Sequence, residues 1–474
     1  MKANYNNGIT SKDDLTITGG SITVKAKNDG IRGRDSISVK DGNITIEAGG
    51  DGIQSNNDQD SEKGYVAIEA GTLNITAGKD GIQAETNVTI SGGKININSG
   101  GGSINSTNTA SEGSPWGNRG MENKASTSTT SVSAKGIKAG SGIIIEGGTI
   151  NADSSDDSIN SNNSVKINSG NIVMASGDDG IHSDSAVEIN GGEITITKCY
   201  EGIESANVTI NNGNIHIVSS DDGINIVGAN SNSQMGGPPQ MGTPPMNAPP
   251  LIDGQQGGIQ NMSPMNAPPM GAPPGQNAQS SGNNFLTING GYISVDALGD
   301  GFDINGLIKM TGGTVIINGP TRNDNGAVDY DGGFEMTGGF LVAAGSSGMA
   351  QAPGTSSTQY SVLLNLESSL QANTLFHIAT EDNREILTFL PTKVYQSVVL
   401  GSPELKNGAT YIVYSGGSST GTPTDGLYSG GKYTAGSKIT SFTISSIVTR
   451  VGSSRGGFPG GPGSNMLPPG GIGR

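Results

Sequence analysis

The sequence predicts an all-β protein: a right-handed parallel β-helix of about 22 residues per coil, closed by a C-terminal antiparallel β cap. Three observations carry this. Isoleucine recurs at Ile9, Ile31, Ile53, Ile82, Ile104, Ile137, Ile159, Ile181, Ile203 and Ile224, mostly 21 or 22 residues apart, with two longer intervals of 29 and 33. A fixed period in this range marks stacked units, none of which buries its apolar face alone. Within one unit, Ile181-His182-Ser183, Val187-Glu188-Ile189 and Ile194-Thr195-Ile196 are short runs with apolar residues two apart, separated by polar and Gly191-Gly192 turns. That is the pattern of three strands per coil with alternate side chains inward. Finally, 78 glycines and 21 prolines accompany only 4% aromatic residues, which suits a thin core of aliphatic ladders punctuated by turns where φ > 0 is required.

The segments follow in order. Residues 1–228 read as coils. They begin inside a repeat at Gly8-Ile9 without a signal peptide, so the sequence is expected to be a piece of a longer chain with an upstream cap and export signal. Seven extra residues after Ile53 form an acidic loop with Asp58 and Asp60 beside Asp51. An eleven-residue surplus after Ile104 lies in a polar loop, about 105–134, that holds Trp116. Residues 229–284, with their repeated Met-Asn-Ala-Pro-Pro, lack apolar periodicity and are expected to be disordered. Final coils span 285–348. Residues 349–451 form the cap, with strands expected at 361–366, 375–379, 396–400, 410–415 and 441–448, and 452–474 a disordered Gly/Pro tail.

A net charge of −16 excludes nucleic acid as a partner, and no run of eighteen apolar residues exists to span a membrane. The single cysteine, Cys199, falls in the turn slot of Gly177 and makes no intrachain disulfide.

Residues one coil apart lie above one another, so columns can be read. Two positions before the periodic isoleucine or its equivalent stand Asp29, Asp51, Asp80, Asp157, Asp179, Glu201, Asp222 and Asp300; one position earlier stand Asp156, Asp178 and Asp221. Asp-Gly is also ordinary turn chemistry, but the doubled acids point to a hard divalent cation, and calcium suits an all-oxygen donor set. The first candidate metal site is Asp156, Asp157, Asp178 and Asp179 with Asp153 and Asp184. The second is Asp221 and Asp222 with Asp300, Asp303 and Asp329, provided the insertion loops out, and the third is Asp51, Asp58 and Asp60.

The Asp-Gly-Ile units, the loop Asp51-Gly52-Ile53-Gln54-Ser55-Asn56-Asn57-Asp58 to Lys63-Gly64-Tyr65-Val66, and Ser441-Phe442-Thr443-Ile444-Ser445-Ser446 resemble secreted bacterial carbohydrate-binding β-helix proteins of the clostridial cellulose- and pectin-binding type. The resemblance implies a pectate-lyase-like β-helix with calcium sites that binds cellulose and acidic sugars without established catalysis. The family is also similar to calcium-dependent pectate lyases of polysaccharide lyase family nine. Their Asp-Asp-x-x-Asp metal motif is matched in part: Asp300 and Asp303 keep the spacing, and Gly299 replaces the first acid.

Function is therefore expected to be calcium-dependent, non-catalytic binding of plant cell-wall polysaccharide by a secreted or cell-surface monomer. Tyr200, Glu201 and Tyr330 are the candidate sugar contacts, and rows such as Thr23, Thr45, Asn74 and Asn96 suit neutral glucan. The alternative is a calcium-dependent polysaccharide lyase, for which Lys309 is the candidate base. A second alternative is a structural or adhesive surface rod.

Overall fold

The computed structural model describes residues 1–3, 6–106, 134–227 and 284–452. The insertion at 229–284, Trp116 and the 452–474 tail, taken as expected above, lie essentially outside the described residues. The chain folds as a parallel β-helix with three faces. Face A carries six-residue strands such as Asn43–Ala48, face B three-residue strands such as Ile53–Ser55, and face C four-residue strands such as Tyr65–Ile68. Faces B and C each hold 11 strands and face A is part of a 15-stranded sheet.

Stacking is in register, so like pairs with like. On face B, Ile181 pairs with Ile203 and Ile203 with Ile224. Ile224 then pairs with Phe302, so the coils on either side of residues 228–283 stack as direct neighbours. Every inward isoleucine from Ile31 to Ile224 on this face is fully buried, each contributing about 1.5–3 kcal/mol relative to exposure.

Two kinds of glycine make the corners, for different reasons. The second glycine of each Gly-Gly turn between faces C and A has positive φ, +102° at Gly192 and +84° at Gly291, where L side chains are strained. The glycine before each periodic isoleucine does not. A Cβ on Gly180 would lie 2.6 Å from the Gly202 carbonyl oxygen and 2.6 Å from Ile196 Cδ1, so close approach rather than φ excludes a side chain there. Ser158 takes this slot in the coil where unbranched Met174 stands in the position of Ile196.

Three readings are corrected. Ile82 pairs with Ile137, not Ile104. Gly100, Gly101 and Gly102, all at positive φ, turn the chain out of the coil, and Ile104 sits 86% exposed in a 3-10 turn. Face B thus has no rung at Ile104 between Ile82 and Ile137, rather than a coil there followed by eleven extra residues. Cys199 is not in the turn slot: an extra residue bulges the seven-residue strand Glu193–Cys199, and Cys199 pairs with Ser219 in the inward column. The region expected as one strand at 441–448 is split between Ser437–Thr443 and Val448–Val451, which belong to different sheets.

The C-terminal region closes face A. Tyr395–Gly401 pairs antiparallel with the last coil strand, Phe340–Gly345, so no open face A edge remains at that end. A six-stranded sheet then folds back over the outside of face A, where outward Ile316 and Val342 join Phe376, Phe389 and Tyr411 in a second core.

Gly180→Ala is expected to cost about 1–3 kcal/mol, because the colliding atoms include a carbonyl fixed in the ladder. A urea or thermal melt unchanged from wild type would contradict the close-approach account.

Candidate functional site

The acids two positions before the periodic isoleucine form one ladder at the corner between faces A and B. Its spacing follows from the fold: along most of the ladder an Asp carboxylate accepts the backbone N–H of the equivalent residue one coil on. Asp29 Oδ1 accepts from Asp51 N (3.2 Å), Asp51 from Asp80 (3.1 Å), Asp80 from Lys135 (2.8 Å), Asp157 from Asp179 (3.1 Å) and Asp222 from Asp300 (2.6 Å). The column therefore has a structural role before any ligand is considered: it satisfies donors at turns that the sheets leave unpaired. Most of its members are buried, Asp157 to 3% exposure, and Glu201 and Asp222 are half-buried, so their mutual repulsion is poorly screened by water.

Charge compensation divides the ladder in two. Lys135 occupies the acid slot between Asp80 and Asp157, and its Nζ lies 2.5 Å from Asp157 and 3.1 Å from Asp156. His182 Nδ1 contacts Glu204 at 2.9 Å and Asp179 at 3.1 Å, while Nε2 reaches Asp184 at 3.1 Å. Burial opposes a charge on His182, but hydrogen bonds to Asp179 and Glu204 push its pKa up to about 11. The first candidate site thus already holds a lysine and a protonated histidine. Asp153 is not in it. It points outward on face A, where Oδ1 accepts Ser103 N at 2.7 Å and ties down the excursion.

Further along, the acids have no such partners. Carboxylate oxygens of Glu201, Asp221 and Asp222 lie within 4.8 Å of one another. Among the described residues no lysine, arginine or histidine pairs with these three or with Asp300, Asp303 or Asp329. Burial and then Asp221 raise Asp222 to about 8; burial and then Asp222 raise Asp300 to about 8; burial and then Glu204 raise Glu201 to about 7. Asn225 stands in register between Glu204 and Asp303 and donates Nδ2 to Glu201 Oε2 at 2.8 Å. Its Oδ1 is buried without a partner. Turning the amide over would set its oxygen against the carboxylate, so the orphan acceptor is fixed.

Asp303 pairs in register with Asp329, whose Oδ1 accepts Gln351 Nε2 at 2.5 Å. The third group is taken apart. The extended strand Ile53–Ser55 separates buried Asp51 from Asp58 and Asp60, which sit exposed at the opposite corner, where Asp60 caps Glu62 N. Tyr200, half-buried, hydrogen-bonds Asp221. Tyr330 follows Ile304 in an inward column, meets Phe334 edge-on and donates its hydroxyl to the Ala352 carbonyl at 2.7 Å. It presents packing rather than an open ring. Lys309 lies exposed on face C between Thr287 and Glu335, a different face from Asp303, so no base stands over the acids from that position. Thr23, Thr45, Asn74 and Asn96 do share one outward column on face A.

A family model described as a carbohydrate-binding domain-containing protein matches residues 1–180. No curated protein and no solved structure matches the chain. The match supports carbohydrate as the ligand class. No described helix is long and apolar enough to cross a membrane.

Column reading missed Lys135 because it followed acids only, although Gly136-Ile137 places it in the slot. Asn225 was missed because its importance lies in an unmet hydrogen bond. Lys135→Met leaves Asp156 and Asp157 without their cation, and a loss of about 3 kcal/mol in denaturant melts is expected. A neutral result would show that the carboxylates do not need the lysine.

Proposed function

We propose that the protein is a secreted, calcium-dependent, non-catalytic binder of plant cell-wall polysaccharide, engaging acidic, pectin-like sugars along the corner between faces A and B. The observation that carries this reading is the Glu201, Asp221 and Asp222 group with the orphan Asn225 Oδ1 at its edge. All its donors are oxygens, and the set contains neither thiolate nor paired imidazoles, which fits a hard cation. Glu201, Asp221, Asp222 and Asn225 would hold the ion; calcium bound there would cancel the acids' repulsion and leave coordination positions for uronate carboxylates. Tyr200 orients Asp221, and Asp300 and Asp303 extend the negative field along the next coil. This arrangement explains how an acidic protein takes an acidic ligand.

The pH dependence follows from the raised acids. A carboxyl that holds its proton more tightly when folded contributes stability that is complete below its unfolded value, near pH 4, and lost as pH rises through the folded value. For Glu201, Asp222 and Asp300 that window runs from about pH 4 to about pH 8. In chelator, the melting temperature should therefore fall between pH 5 and pH 8. Excess calcium should raise it more at pH 8 than at pH 5, by mass-action linkage. The double variant Asp221→Asn with Asp222→Asn should melt higher than wild type in chelator at pH 8 and lose the calcium response. Retention on polygalacturonate should disappear in chelator. A wild-type melt indifferent to calcium at pH 8 would rule the ion out.

A further inference from the structure

We infer that the outer surface of face A is a second, calcium-independent glycan site that takes an uncharged polysaccharide chain laid along the helix axis. A trough of about 390 Å³ runs there between Thr45 and Thr197, around the column Asn74, Asn96, Asn151. Its amides form a ladder: Asn96 Nδ2 donates to Asn74 Oδ1 at 2.8 Å, and Asn151 Nδ2 to Asn96 Oδ1 at 2.9 Å. Each amide has two N–H donors and two acceptor lone pairs, so the ladder leaves donors and acceptors over, fixed at about 4.8 Å intervals. Sugar hydroxyls, which donate and accept at once, match such a row, and an extended β-linked chain advances by a comparable distance per ring. Val173 continues the column and offers an apolar contact for a ring's C–H face.

The walls decide the charge of the occupant. Glu47 and Asp153 border the trough. Two of the nearby cations are committed: Lys25 pairs with Glu47, and Lys198 Nζ donates to the Ser103 carbonyl at 2.8 Å. A uronate chain would meet the carboxylate of Asp153, which accepts only N–H groups and pairs with no cation among the described residues. The far end is stopped. Beyond Thr195 the column passes to His216, whose Nδ1 lies 3.3 Å from Asp425 of the C-terminal region, and then to the Tyr292 coil, where the Tyr292 hydroxyl donates to the same carboxylate. From Thr23 to Thr195 the open column covers six rung steps, roughly 29 Å at that spacing. The stretch that matches the carbohydrate-binding family, residues 1–180, carries nearly all of this trough and none of Glu201, Asp221 or Asp222.

The inference rests on the carbohydrate-binding reading and is independent of the metal. The test is binding of cellohexaose, by calorimetry or affinity electrophoresis, with chelator present throughout. Wild type should bind. Asn96→Ala with Asn151→Ala should bind at least tenfold more weakly, and so should Val173→Trp, which fills the trough while leaving every ladder asparagine in the sequence and decides the matter if the asparagine variant fails to fold. Wild-type-like binding by a folded Val173→Trp variant would overturn the trough assignment and leave carbohydrate binding standing. Retention of polygalacturonate with calcium but no binding of cellohexaose would overturn the neutral site alone. Absence of binding to both probes under all conditions would remove both readings.

Discussion

One hydrogen bond repeated along the corner between faces A and B organises this molecule: a carboxylate of one coil accepting the backbone N–H of the next. The donor is unavoidable, because the chain leaves one sheet and enters another there, and an Asp side chain reaches it at rung spacing. Meeting that need stacks acids on acids in a buried column. The fold thus creates its own electrostatic problem at the place where it solves a hydrogen-bonding one.

The solution differs along the rod. Where the excursion re-enters the helix, Lys135 takes the acid's slot and neutralises the pair beyond it, and two coils further His182 gathers three carboxylates. After that point every replacement is another acid, an amide or a tyrosine, and the carboxyls respond by holding their protons to near-neutral pH. The proposed binding of charged ligands then falls on one half of the ladder only. Face A offers the contrasting chemistry, a row of amides whose mutual hydrogen bonds are prearranged and whose walls are acidic. The two proposed ligand sites are separated by geometry on one scaffold.

The C-terminal region ties these surfaces together. Its strand Tyr395–Gly401 pairs with the last coil, and its second sheet covers the outward Ile316 and Val342. Ile316 and Val342 are outward yet fully buried, so these two mark where face A stops being a surface. The alternation of Thr and Asn giving way to Ile and Val in the outward column is the sequence trace of that boundary.

What the sequence determined by itself was whatever repeats: the period, the three strands, the Gly-Gly corners and the acid column are all local patterns multiplied by stacking. Ile104 shows the limit, because a residue at the right interval is not a rung when three glycines have already turned the chain away. Cys199 shows it again, since a one-residue bulge compensated by a shorter turn leaves the period nearly intact while moving the side chain into the core. Only the tertiary structure decided which carboxylates share a focus and which are answered by a cation. That depends on where an insertion leaves and rejoins the stack and on hydrogen bonds between residues of different coils, neither of which spacing along the chain encodes.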